Sequence, residues 1–140
     1  MPTTGPVIIV EDDDDDHELI LLALKSIGVT NEIVFFQNGE KVLDYLLEKN
    51  RNPFIILCDV NMPGMDGFEL REAINESDYL KKKTIPFIFL STSNRESDIN
   101  KAYRLTVQGY FTKPDNLSEL TSDLKAIIEY WRRCRHPFKV

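Results

Sequence analysis

The sequence predicts an α/β protein, a five-stranded parallel sheet doubly wound with helices on both faces. Three observations predict it. Short apolar runs alternate five times with segments of helical period. Three of those runs, Val7–Val10, Phe54–Cys58 and Phe87–Leu90, are almost continuously apolar, as strands covered on both faces are. The 140 residues, 42% of them hydrophobic, suit one domain with a core of ordinary size, and no repeat or long linker divides them.

The first strand, Val7–Val10, runs into Glu11-Asp12-Asp13. A helix starts near Asp14 and places Ile20, Ala23, Leu24 and Ile27 at helical spacing. Its Asp run suits the positive end of the helix dipole, and Gly28 suits its stop. The second strand, Ile33–Phe36, is bracketed by polar residues, which suits an edge; Asn38-Gly39 closes it. Val42, Leu43, Leu46 and Leu47 mark the next helix. The third strand, Phe54–Cys58, ends at Asp59, and a helix after Gly67 carries Leu70, Ala73 and Ile74. The stretch Asp78 to Thr84 reads as a charged, solvated connection. The fourth strand, Phe87–Leu90, precedes a helix from about Glu96 with Ile99, Ala102 and Tyr103. A short fifth strand lies around Tyr110 and Phe111. The last helix has the longest stripe: Leu117, Leu120, Leu124, Ile127, Ile128 and Trp131. Five helices result.

Composition narrows the function. A net charge of −6 argues against nonspecific binding to nucleic acid or anionic membrane. Arg132, Arg133 and Arg135 complement the negative end of the last helix. Cys58 and Cys134 form no C-x-x-C pair, so a zinc or dithiol site is not signalled, and Cys58 reads as a small hydrophobe. His17 and His136 lack ligand spacing and read as exposed. The N-terminus has no basic leader, and no segment approaches the ~18 apolar residues that span a bilayer, so the expected location is cytoplasmic.

Right-handed crossovers bring all carboxyl ends of a parallel sheet to one side, where ligands sit. Four strand ends there carry chemistry: Glu11 and Asp12, then Asp59, then Ser91-Thr92, then Lys113-Pro114. Asp12 and Asp59 suit a hard cation such as Mg²⁺ or Mn²⁺, with the Asn61 backbone carbonyl as a further ligand and Glu11 acting directly or through water. An Asp carboxylate is also a competent nucleophile for a phosphoryl group. Lys113 would pair with the new anion, and the Ser91 hydroxyl would donate to it. Lys113–Pro114 is a candidate cis peptide.

Plainer readings stand beside these. The run Asp12–Asp16, taken alone, is a helix N-terminus or a solvated face. It is no EF-hand loop, because His17 and Ala23 occupy the positions that need Gly and Glu. A second start at Asp59 fails at Pro63 and Leu70.

Four motifs in order, Val10-Glu11-Asp12-Asp13, Cys58-Asp59-Val60-Asn61-Met62-Pro63-Gly64-Met65-Asp66-Gly67, Leu90-Ser91-Thr92-Ser93 and Gly109-Tyr110-Phe111-Thr112-Lys113-Pro114, resemble the receiver domains of two-component response regulators. The likeness is to the stand-alone, chemotaxis-type members. It implies the flavodoxin-like strand order 2-1-3-4-5. It implies a receiver domain over residues 5–135, with 1–4 and 136–140 as terminal tails. It implies that Asp59 accepts a phosphoryl group from a sensor histidine kinase or a histidine phosphotransfer protein. Glu11 and Asp12 become the acidic pair, with Asp13 adjacent; Ser91 and Tyr110 become the switch residues, and Lys113 the conserved-type lysine. The protein would then be a phosphorelay switch rather than an enzyme, apart from acting on its own aspartyl phosphate. No DNA-binding output domain is expected, and the tail Tyr130–Phe138 is a candidate homodimer contact.

Two departures from the commoner pattern, Glu11 for Asp and Ser91 for Thr, keep the chemistry. Other classes fit less well. A haloacid-dehalogenase-type phosphatase wants a second Asp where Asn61 stands. A flavin module wants a hydroxyl- and Gly-rich loop after the first strand, where acids stand instead.

Overall fold

The computed structural model describes residues 2–48 and 50–136. Five parallel strands, β1 (Val7–Val10), β2 (Ile33–Phe36), β3 (Ile55–Cys58), β4 (Phe87–Ser91) and β5 (Gly109–Thr112), form one sheet in the order β2-β1-β3-β4-β5. The helices are α1 (Asp14–Ser26), α2 (Gly39–Leu47), α3 (Gly67–Glu76), α4 (Asp78–Lys83), α5 (Glu96–Arg104) and α6 (Leu117–Arg133). The expected order and the edge position of β2 are both present.

Side chains alternate between the two faces. Ile8, Val10, Ile56, Cys58, Phe87 and Phe89 pack with Val42, Leu46, Leu70, Leu80 and Ala102, from the helices α2 to α5. Val7, Ile9, Ile55, Leu57, Ile88 and Leu90 pack with Ile20, Leu24, Leu124 and Ile128, from α1 and α6. Each fully buried aliphatic or aromatic side chain stabilises the fold by about 1.5–3 kcal/mol before entropy is subtracted. Cys58 is buried and free, as a small hydrophobe.

Caps end the helices where residue chemistry demands. Asp13 Oδ1 accepts from Asp15 N–H and Asp16 N–H at the start of α1. Gly28 follows its end with φ +82°, the left-handed region that favours glycine. Asp66 and Glu69 form a reciprocal capping box on α3.

Three expectations need correction. Residues 78–84 are not merely a solvated link. Ser77 caps the short helix α4, and Leu80 drops into the core. One buried residue in six, with Tyr79 exposed beside it, leaves no period to read, so six α-helices stand among the described residues instead of five. The Lys113–Pro114 bond is trans. His17 and His136 are half-buried rather than exposed: His17 lies 4.6 Å from the Phe35 ring, and His136 lies 6.4 Å from Trp131. In the tail Tyr130–Phe138, Pro137 and Phe138 lie outside the described residues.

Gly67 begins α3 beneath the third strand's end. A Cβ there would lie 2.3 Å from the Asp59 carbonyl oxygen and 2.7 Å from the Phe89 ring. Backbone and core side chains cannot both retreat. Gly67→Ala is expected to lower stability by about 3 kcal/mol, the upper range for overpacking. Urea denaturation checks it, and an unchanged midpoint would contradict the close approach.

Candidate functional site

Strand register assembles the site. Val10 of β1 pairs with Cys58 of β3, so the next residues, Glu11 and Asp59, come side by side. Cys58 aligns through Phe89 with Tyr110, so Lys113 follows β5 two residues beyond the level of Asp59, and its long side chain spans the offset. The main chain continues the ladder past the strands: Asp59 N–H donates to Val10 O at 2.9 Å, and Lys113 N–H to Ser91 O at 2.7 Å.

Lys113 then reaches across β4. Its Nζ donates to Glu11 Oε1, to Asp16 Oδ2 at 2.9 Å and to Asp59 Oδ2 at 3.4 Å. Asp59 Oδ1 accepts from Val60 N–H at 2.7 Å, which fixes the carboxylate's rotamer. Glu11 and Asp59 are 2% and 8% exposed. Carboxylate oxygens of Glu11, Asp12 and Asp59 lie within 4.8 Å of one another, and Asp12 is exposed. Three carboxylates at that spacing around an open side form a donor set suited to a hard divalent cation. Asn61 is exposed in the turn just past Asp59.

Electrostatics reflect the crowding. Burial pushes the Glu11 carboxyl up from 4.5 to about 7; the Asp59 charge adds to the rise, and the Lys113 hydrogen bond opposes it. Burial alone would lower Lys113. The Glu11 hydrogen bond, the Asp59 charge and the Asp16 hydrogen bond outweigh it and hold the ammonium above its ordinary value.

Ser91 is fully buried, and its Oγ accepts from Ser93 N–H at 3.2 Å. The Ser93 carbonyl accepts from the Tyr110 hydroxyl at 2.7 Å, and Ser93 Oγ donates to Asp98 of α5. The structure thus brings Glu11, Asp12, Asp59 and Lys113 together, and links Ser91 to Tyr110 through Ser93. Asp16 was not singled out from the sequence. Only the helix phase within an unbroken Asp run decides which carboxylate turns toward the strand ends.

An open parallel sheet in this order, with an acid trio and a lysine at its carboxyl edge, defines a receiver domain, the phosphoacceptor module of two-component signalling. The family model for the response regulator receiver domain matches residues 7–125, and the chain belongs to that family. It is 33% identical to the probable methanogenesis regulatory protein FilR2 of Methanothrix harundinacea over 117 residues, 81% of this chain and 74% of that one. Among solved structures it resembles the phosphorylated cyanobacterial phytochrome response regulator RcpA, with TM-score 0.86, 36% identity, and 96% and 99% of the two chains covered. It also resembles the Mn²⁺-bound form of response regulator Rcp1, with TM-score 0.83, 30% identity, and 96% and 99% covered. Receiver domains act on their own aspartyl phosphate and take it from histidine kinases or phosphotransfer proteins. Among the described residues, no helix is long and apolar enough to cross a membrane.

The Glu11 shift has a pH consequence of defined sign. With a folded value of about 7 against the ordinary 4.5, Glu11 keeps in the folded protein a proton that the unfolded chain has released across that window. Its contribution to metal-free stability therefore falls as pH rises from 4.5 to about 7. Urea denaturation in chelator across this window is expected to show a decline that Glu11→Gln flattens; equal slopes in both proteins would contradict it.

Proposed function

We propose that Asp59 is the phosphoacceptor, that Glu11 and Asp12 hold the cation beside it, and that Lys113 receives the new phosphoryl group. The observation that supports this most is the convergence of the Lys113 ammonium on Asp59 at 3.4 Å inside a trio of carboxylates. Lysine alone cannot neutralise three acids and an incoming phosphate. A bound Mg²⁺ or Mn²⁺ supplies the missing positive charge to the carboxylates and the phosphoryl oxygens. Glu11, Asp12, Asp59 and the Asn61 carbonyl are the proposed ligands, and the Mn²⁺-bound form of Rcp1 supports that choice.

An Asp59 oxygen attacks the phosphorus of a phosphohistidine. The P–N bond breaks, and its electron pair leaves with the imidazole, which takes up a proton. Val60 N–H holds one carboxylate oxygen while Lys113 faces the other, so the nucleophile is positioned before the donor arrives.

Ser91 and Tyr110 are the proposed switch. A Ser91 hydroxyl drawn to the phosphoryl group gives up the Ser93 N–H, and Ser93 carries bonds to both Tyr110 and Asp98 of α5. A local charge event thereby biases the α5–β5 face. The domain spans residues 5–135 in this reading. The donor is a histidine kinase, with a phytochrome-type kinase as first candidate because RcpA is a phytochrome response regulator. Output runs through protein contacts in the cytoplasm, since a net charge of −6 disfavours nucleic acid and anionic membrane. A second copy is one such partner, through exposed Tyr130 at the end of α6.

Incubation with acetyl phosphate and Mg²⁺ is expected to add one phosphoryl group, read by intact-mass spectrometry. The gain should vanish without divalent cation and in Asp59→Asn. Label retained in Asp59→Asn would remove Asp59 from its role. Lys113→Ala is expected to bind Mg²⁺ yet respond poorly to phosphorylation, and a normal response would show a structural lysine only.

A further inference from the structure

Lys113 has three N–H bonds to donate, and three carboxylates take them. Two of these, Glu11 and Asp59, belong to the strand-end trio. Asp16 does not: it sits in the first turn of α1 and is absent from that trio. Its backbone N–H is tied to the capping carboxylate of Asp13 at 3.3 Å, so the helix cap sets where its side chain starts. From there Asp16 Oδ2 meets Lys113 at 2.9 Å, with the Asp16 side chain 32% exposed and the lysine 11% exposed.

We propose that Asp16 is a positioning residue that competes with the phosphoryl group for Lys113, and so limits how strongly the phosphorylated state is held. The proposal rests on the reading of Asp59 and Lys113 given above. An ammonium has no fourth hydrogen. A phosphoryl oxygen on Asp59 obtains one only when a present acceptor yields. The Asp59 contact is the longest of the three measured against the ammonium, and that carboxylate becomes part of the acyl phosphate. Glu11 belongs to the set that faces the cation. Asp16 is the anion left over, and among the described residues its ion pair is with Lys113 alone. Neutralising it replaces a charged acceptor with a weaker one, so that N–H turns more readily to the phosphoryl group and the competing attraction on the ammonium is reduced.

Beryllofluoride binding to Mg²⁺-saturated protein tests this, since the ion occupies the phosphoryl position on the acceptor carboxylate. Asp16→Asn keeps the side-chain size and the capped N–H, and its fold is checked by thermal unfolding. It is expected to bind beryllofluoride about five-fold more tightly, the scale of one partly exposed ion pair. Asp16→Glu, which restores the charge, should return the affinity toward wild type. Asp15→Asn removes an equal charge from the same helix turn and should leave affinity nearly unchanged. Unchanged or weaker binding in Asp16→Asn, or an equal gain in Asp15→Asn, overturns the proposal alone. Wild-type protein that binds no beryllofluoride overturns the Asp59 reading and this proposal with it.

Discussion

The Lys113 ammonium stands among Glu11, Asp16 and Asp59, and this ion cluster is the contact on which the rest of the site depends. Unpaired, Glu11 and Asp59 would place two nearly buried negative charges side by side, a costly arrangement. The lysine makes them tolerable and keeps them reactive. It is one charge against several, so the cluster stays short of neutral. That deficit suits the cluster to a divalent cation, and in the proposed function cation and ammonium together would give an anionic phosphoryl group a place to arrive. The rise of Glu11 to about 7 expresses the same deficit as proton uptake.

The sheet exists, from the site's viewpoint, to deliver that cluster. Val10 pairs with Cys58, so one level of the ladder carries Glu11 and Asp59 outward together, and Lys113, two residues beyond that level just past β5, reaches them with its long side chain. A one-residue slip of any strand would turn the side chain away. Continuous apolar packing on both faces makes such slips expensive. The opposite requirement holds on the β4–α5 side. There Ser93 joins Ser91, Tyr110 and Asp98 through single hydrogen bonds, each weak enough to exchange, as the proposed phosphorylation of Asp59 would require.

Much of this was legible in the residues. Strands buried on both faces read as apolar runs, and a carboxylate or lysine just past such a run declares a strand end. Hence Glu11, Asp59, Ser91 and Lys113 could be named before any coordinates. Gly28 was legible because a left-handed stop favours glycine. The short helix α4 was not, since Leu80 is the single apolar anchor in a charged stretch. Asp16 was hidden among identical neighbours, and only three-dimensional phase separates it from Asp14 and Asp15. The half-buried state of His17 depends on Phe35, a residue of another element that sequence spacing does not connect to it. Peptide geometry at Lys113–Pro114 is set by the surrounding loop rather than by the dipeptide.

The central claim, that the lysine is the resident counter-ion of an otherwise repulsive acid cluster, is tested most directly by the stability of Lys113→Met with and without Mg²⁺. The account predicts a loss of about 3 kcal/mol in chelator, as for a broken buried pair. It also predicts that Mg²⁺ restores most of the loss and stabilises the variant more than it stabilises wild type. Wild-type stability in chelator, or a loss that Mg²⁺ leaves untouched, would contradict it.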